Sequence, residues 1–435
     1  MGPPSGRICP FNQQCLCSWR RQCSPRIPSV APGRDYACLP AATDNSAATA
    51  AACSQLLVGF ISSSSSGTDD VLRMHRFGVV TQSGRILGQS TDTLQVVDDV
   101  DYKTHEDTTT RTTIACATAM PGSDGRSLCL FTRPMPIADD DDNHDHIIRP
   151  LELHLADAND AAERRGSIIT VSTTLPDVPL GPQIMRTRPI SAAGHLWAPC
   201  FFEDPDPPYL GHFLMKRLDK DAGKWEDVAG MDLEITAEEQ YWAGRFLHGY
   251  AVVKDRTILL SLQQSGLFVA FDCSTGSWTQ VLTTEDAMDY WDNNRYLPIH
   301  ERGVYVEQDD TIYFLSHTVL YAYKLCQGQD GLYRMAPPME VDCLYPLDEA
   351  GCYGFVTHLG NRIMCSVWIG VSLRCSCDAK HVLITTFRVE ADNKSTSSHG
   401  HFVPKGVKII HSTCRRLDIS PHKPSDSHGE FFYLQ

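Results

Sequence analysis

Gly249-Tyr250-Ala251-Val252-Val253-Lys254-Asp255-Arg256-Thr257-Ile258-Leu259-Leu260-Ser261-Leu262 opens the stretch that decides the fold, which continues to Leu282. Residues 250–253 read as a strand, and Lys254-Asp255-Arg256 as the turn that ends it. A second strand, 257–262, runs into the breaker 263–266. A third, 267–272, is followed by the turn 274–276, and Trp278 opens a fourth strand, 278–282. Four strands with three tight connections leave no room for a helix. This is the pattern of one blade of a β-propeller.

The unit recurs. Phe213-Leu214-Met215-Lys216-Arg217-Leu218-Asp219 leads to Trp225. Phe268-Val269-Ala270-Phe271-Asp272 leads to Trp278, and Val319-Leu320-Tyr321-Ala322-Tyr323-Lys324-Leu325 leads to Tyr333. In each copy an apolar third strand precedes an aromatic that opens the fourth. Trp225 and Trp278 stand 53 residues apart, close to the period of about 50 for kelch-type blades. The aromatic is expected to be buried as a wedge between neighbouring blades. An irregular β-sandwich is the competing fold, but a sandwich needs no fixed repeat.

Outward from this unit the strands continue. Residues 195–202, 213–218 and 225–228 form a preceding unit whose 219–223 link is a hairpin loop with Gly223 at a position expected to need positive φ. A following unit takes 303–307, 311–315, 319–325 and 333–335, and the next takes 353–358, 362–368 and 381–389. Residues 407–414 and 430–434 are left as closing strands. Earlier in the chain, strands read at 71–80, 85–87, 93–97, 112–118, 127–131, 151–155 and 167–173, with Glu163-Arg164-Arg165-Gly166 as a turn. The expectation is an all-β chain. A kelch-like propeller of six or seven blades spans 55–435, behind a disordered or targeting tail at 1–54. That tail is rich in Ser, Pro, Arg and Cys, has no acid before Asp35, and shows neither strand alternation nor a sustained apolar face.

Composition bounds the function. A hydrophobic content of 42% with 21% charged residues is that of a soluble globular protein. A net charge of −15 with no basic cluster beyond Arg415-Arg416 argues against nucleic acid. No apolar run approaches the about 18 residues of a membrane span. The 17 cysteines, with no apolar signal core at the start, read as reduced thiols in a cytoplasmic or nuclear protein. An organelle address in 1–54 is the alternative. Cys116, Cys129, Cys273 and Cys365 lie in or beside strands and read as small buried hydrophobes.

The chain resembles a kelch-like family of unknown function that is expanded in grasses. The resemblance is carried by 249–253, 256–261, Phe271-Asp272 and Trp278-Thr279. Asp310-Thr311-Ile312-Tyr313-Phe314 and His411-Ser412-Thr413-Cys414-Arg415-Arg416-Leu417-Asp418 are similar to the family's C-terminal region. The resemblance covers 195–435 best. It implies a propeller and no reaction. The usual kelch Gly-Gly doublet is missing from these units, and 1–54 lacks the apolar helical periodicity of an F-box docking module.

No catalytic, cofactor-binding or metal-ligating residue is assigned. The acidic loop 139–146, with His144 and His146, lacks the glycine and spaced ligands of a calcium loop and reads as solvated surface. Cys375-Ser376-Cys377, near Cys365 and His381, has one residue between its cysteines where zinc chelation wants two to four. Cys9, Cys15, Cys17 and Cys23 have no matching second half. Asn393-Lys394-Ser395 fits a glycosylation sequon. The expectation is a monomer that takes no cofactor and binds a protein partner through loops on one propeller face. Two alternatives stand: a copper-radical sugar or alcohol oxidase, needing a Tyr-Cys crosslink, two His and an axial Tyr on the axis, and a ubiquitin-ligase substrate adaptor.

Overall fold

Thr257–Leu262 is buried along its whole length, yet its side chains do not share one core. Ile258, Leu260 and Leu262 pack to one side, and Leu259 to the other. The next strand, Phe268–Asp272, divides the same way: Val269 and Phe271 go with the first set, Phe268 and Ala270 with the second. Period-2 alternation therefore serves two cores at once, and the strands read as continuous apolar runs. A sheet covered on both faces by other sheets is what a propeller blade requires.

The computed structural model describes residues 53–63, 70–87, 93–94, 96–100, 110–122, 127–136, 148–155, 169–179, 187–203, 210–234, 247–262, 268–283, 296–344, 353–371, 380–391, 403–417 and 433–434. The tail expected at 1–54 falls outside them except for Cys53 and Ser54, which already belong to a strand. The turn read at 163–166 also lies outside them.

The described strands form six antiparallel blades. The first holds β1 (Cys53–Ser63), β2 (Asp70–Val80) and β3 (Arg85–Leu87), with β4 (Thr93–Leu94) and β5 (Val96–Val100) following. The second is β6 (Thr110–Ala119), β7 (Ser127–Pro136), β8 (Arg149–Leu155) and β9 (Ile169–Thr174). The third is β10 (Ile190–Ala192), β11 (His195–Glu203), β12 (Leu210–Asp219) and β13 (Lys224–Glu234). The fourth is β14 (Leu247–Val253), β15 (Thr257–Leu262), β16 (Phe268–Asp272) and β17 (Ser277–Gln280), trailed by β18 (Leu282–Thr283). The fifth is β19 (Glu301–Val306), β20 (Thr311–Ser316) and β21 (Val319–Gln327), whose outer neighbour is split into β22 (Tyr333–Met335) and β23 (Met339–Cys343). Pro337 and Pro338 stand at the split, where missing N–H groups interrupt the ladder. The sixth is β24 (Tyr353–Gly360), β25 (Ile363–Val371), β26 (Lys380–Ala391) and β27 (Pro404–Leu417). A final strand, β28 (Tyr433–Leu434), pairs with β1. Among the described residues the only helical turn is a 3₁₀ turn, Glu307–Asp309, and no helix is long and apolar enough to cross a membrane.

Each hydrophobic cluster sits between successive blades. Phe131, Leu196 and Trp225 join the second to the third, and Trp197, Phe213 and Phe271 the third to the fourth. Phe268, Phe314 and Tyr323 join the fourth to the fifth, and Tyr313, Trp368 and Phe387 the fifth to the sixth. Val79, Ile86, Ile363 and Ile384 join the sixth back to the first, and β2 and β28 lie against β6 of the second, so the ring closes. Main-chain pairing seals the closure twice. β28 adds to β1 at Leu57 and Val58, and β4 adds in parallel to β27 at Arg416 and Leu417. The fold is a β-propeller.

Three strand assignments change. The strand read at 93–97 is two, β4 pairing with β27 and β5 with β2. Residues 195–202 are the second strand of their blade, because the three-residue β10 precedes them. Residues 407–414 belong to β27, the outer strand of the sixth blade, and the closing role falls to β28.

The aromatic that opens the outer strand behaves alike in three blades. Gly223, Gly276 and Gly331 stand two residues before Trp225, Trp278 and Tyr333, all at positive φ, where a side chain would be strained. Asp219 caps the turn by accepting from the N–H groups of Asp221 and Ala222, and Asp272 does so from Ser274 and Thr275. Each aromatic then bonds to the preceding blade. Trp225 Nε1 donates to Pro176 O at 2.8 Å, Trp278 Nε1 to Ala229 O at 3.1 Å, and the Tyr333 hydroxyl meets Thr257 Oγ1 at 3.2 Å. Trp225 is the buried wedge at 8% exposure, whereas Trp278 is only partly buried.

Candidate functional site

In a propeller the inner strands run parallel around the axis, so loops entering them gather at one end and inner hairpin turns at the other. At the turn end the inner hairpins of the third, fourth and sixth blades each place two residues at positive φ: Ala193 and Gly194, Lys254 and Asp255, Asn361 and Arg362. That is the two-residue geometry matching strand twist. These turns are chained. Ala193 N–H donates to Asp255, Lys254 Nζ lies 3.9 Å from Asp310 Oδ1, and Arg362 Nη2 lies 2.8 Å from Asp309 Oδ1. Asp309 is 1% exposed and also accepts from the Tyr313 hydroxyl at 3.4 Å. The Asp309 main-chain oxygen accepts from Thr311 Oγ1 and Lys324 Nζ. These contacts link the turns of the third to sixth blades in series, with Asp309 Oδ1 beside the Arg362 cation but without a hydrogen bond, so this end is a structural latch.

The entry end is different. β14 and β19 approach so closely that they pair in parallel, Gly249 with Glu301 and Ala251 with Gly303. A Cβ on Gly249 would lie 2.3 Å from Ile299 O and 2.7 Å from Glu301 O. The missing side chain is what allows the approach. It brings His248 and His300 together, their rings edge to face at 4.5 Å between centroids. Antiparallel pairing of β19 with β20 sets His317, in the β20–β21 turn, beside His300 at 6.2 Å. Arg188, entering the third blade, reaches past the fourth to Glu301 of the fifth in a two-pronged ion pair, with Nη2–Oε1 at 3.1 Å. The guanidinium is 11% exposed and the carboxylate 51%. Glu301 holds this position from a left-handed backbone, φ 54°. Burial, then the neighbouring His317, pushes the His300 imidazole down to about 4 against the opposing pull of Glu301. His300 is thus neutral at pH 7, between an exposed His317 and a half-buried His248.

The motifs singled out in the sequence do not meet here. The acidic loop 139–146, Cys375 and Cys377, the Asn393 sequon and the N-terminal cysteines lie outside the described residues, and the His381 side chain is not described. Cys365 is buried between the sixth and first blades, where burial pushes its thiol up. Cys116, Cys129 and Cys200 are likewise buried, and Cys273 is half-buried. Among the described residues no three His, Cys, Asp or Glu side chains form a set that could hold a metal ion. The residues missed by the sequence reading are Arg188, His248, His300, Glu301 and His317. One signal was present: Leu247-His248 and Ile299-His300 repeat an apolar-His pair one blade apart.

No protein-family model matches the chain, and no curated protein matches it. Among solved structures it is similar to the core factor of S. cerevisiae, with 11% identity over 87% of this chain and 53% of that one, TM-score 0.41. The chain therefore spans about half the length of that protein. A protein from Lactobacillus plantarum gives 11% identity over 83% and 100%, TM-score 0.37. The WD40 domain of SCAP from fission yeast gives 10% identity over 87% and 81%, TM-score 0.32. These likenesses are too distant to carry function, and the propeller assignment rests on the sheet order and inter-blade cores above.

Proposed function

We propose that the protein is a non-catalytic binding protein that engages a protein partner through the entry end of its propeller. The observation that carries this reading is the convergence of Arg188, His248, His300, Glu301 and His317 from three blades on one rim. The buried guanidinium and the neutral imidazole are held by neighbours, while Glu301 and His317 stand open. A rigid polar rim with Arg at its base suits an interface, where Arg and aromatic groups supply directional contacts at little entropic cost. Kinship with the grass-expanded kelch-like family belongs to the same proposal. It is supported by the Asp-Gly-aromatic turn shared by the third and fourth blades.

Affinity capture with quantitative mass spectrometry, comparing wild type with a His317→Asp variant, tests the reading while leaving the Arg188–Glu301 pair in place. Specific partners should drop at least about tenfold on a variant whose melting temperature is unchanged. An identical bound set on both proteins would remove the rim from the function.

A further inference from the structure

We infer that Tyr323 and Ser261 are positioning residues of the rim, two buried hydroxyls that hold residues 297–299 in place of a strand ladder and so set where His300 and Glu301 stand. Their role presupposes the rim as the binding surface proposed above.

Tyr296 to His300 lead into β19 without joining a strand. Yet Tyr296, Leu297 and Ile299 are buried in the core between the fourth and fifth blades. Main-chain groups taken so deep need partners. Side chains supply them, one from each blade. The Tyr323 hydroxyl, on the fifth, accepts from Leu297 N–H at 2.7 Å and donates to Leu297 O at 2.5 Å. Ile299 N–H donates to Ser261 Oγ, on the fourth, at 2.8 Å. The Ile299 carbonyl lies against Gly249, where a Cβ has no room. The next residue is the imidazole that meets His248, and the one after it the carboxylate that meets Arg188. Tyr323 is itself held, edge-on to Phe268 at 5.5 Å and stacked on Phe314 at 5.3 Å. Burial pushes its phenol up, which keeps the proton on the hydroxyl for Leu297 O.

The repeat shows what these two positions hold elsewhere. Thr257 pairs with Asp272 in the fourth blade as Thr311 pairs with Lys324 in the fifth. By that register Tyr323 corresponds to Phe271, and Ser261 to Leu315. Phe271 packs toward the third blade and Leu315 toward the sixth. Those seams are filled at the same places without a hydroxyl, so packing alone does not call for one. A buried hydroxyl is costly unless it is bonded. Both occur at the one seam where 297–299 is held.

The test follows the His300 imidazole by NMR titration in full-length wild type, Tyr323→Phe and Ser261→Ala. Thr311→Val is the control, since it removes a buried hydroxyl from the turn end. His300 of the wild type should titrate at about 4. In Tyr323→Phe and Ser261→Ala the segment loosens, water reaches the ring, and the value should rise above about 5. The control should match wild type. A rise in all three variants, or in none, would make the hydroxyls purely structural and overturn the inference. Amide exchange on wild type keeps the test open if a variant fails to fold. Leu297 and Ile299, outside any ladder, should exchange as slowly as β15, and fast exchange would overturn the inference. Affinity capture on the same variants separates the two proposals. A moved titration with an unchanged set of partners would keep the positioning and remove the rim from the function.

Discussion

The indole N–H of Trp278 donates to the main-chain carbonyl of Ala229 at 3.1 Å, across the seam between the fourth blade and the third. Trp225 makes the same bond to Pro176, one seam earlier, at 2.8 Å. In both pairs the donor lies 49 residues beyond its acceptor, so the repeat in sequence is a repeat in inter-blade bonding.

The two tryptophans should not be equal in stability. Trp225 is buried, with its ring 6.0 Å from Phe131 in an edge-on contact, while Trp278 keeps solvent on one side. Trp225→Ala should cost about 3–5 kcal/mol, from a cavity and an orphaned carbonyl. Trp278→Ala should cost about 1–3 kcal/mol. Urea denaturation of both variants measures the order, and a larger loss at Trp278 would contradict the seam as described.

Gly249→Ala should destabilise by more than about 3 kcal/mol, since the new methyl meets main-chain atoms at 2.3 to 2.8 Å that no rotamer change can move. Gly194 has open space around the same position and φ of 73°, so Gly194→Ala should cost only about 1 kcal/mol of backbone strain. Thermal melts of the pair test whether the parallel β14–β19 contact is tight.

His300 should give stability a specific pH dependence. Folding lowers its pKa from 6.5 to about 4, chiefly by burial. Between those values the unfolded chain binds a proton that the folded chain does not. The contribution is therefore complete above about pH 6.5 and is lost as pH falls toward 4, to a limit of about 3 kcal/mol. His300→Gln should flatten the stability profile in that window, followed by denaturant midpoints at pH 7, 5.5 and 4. An unchanged slope would show that the imidazole is not buried.

Arg362→Ala should cost about 2–4 kcal/mol, because it leaves the carboxylate of Asp309 buried without its cation. Arg362→Ala combined with Asp309→Asn should recover much of that loss, since the buried charge goes with it. A double variant as weak as the single would place the effect in lost packing of the Arg362 stem.

The features legible from residue order alone are local. Strands 257–262 and 268–272, the Asp219 and Asp272 turns and the aromatic after each are legible because strand alternation and turn φ are set within a few residues. β10 is too short, at three residues, to show a period, so the inner strand of the third blade was not legible; the closing strand was legible at 430–434, where β28 stands, but not its partner β1. The partial exposure of Trp278 likewise depends on how far the third blade reaches over it. The entry-end rim is wholly tertiary. Arg188 and Glu301 are 113 residues apart, and only the ring's curvature brings the third blade's entry to the fifth's. The His248–His300 contact needs Gly249 to admit a neighbouring strand at bonding distance, a requirement of packing that no local pattern encodes.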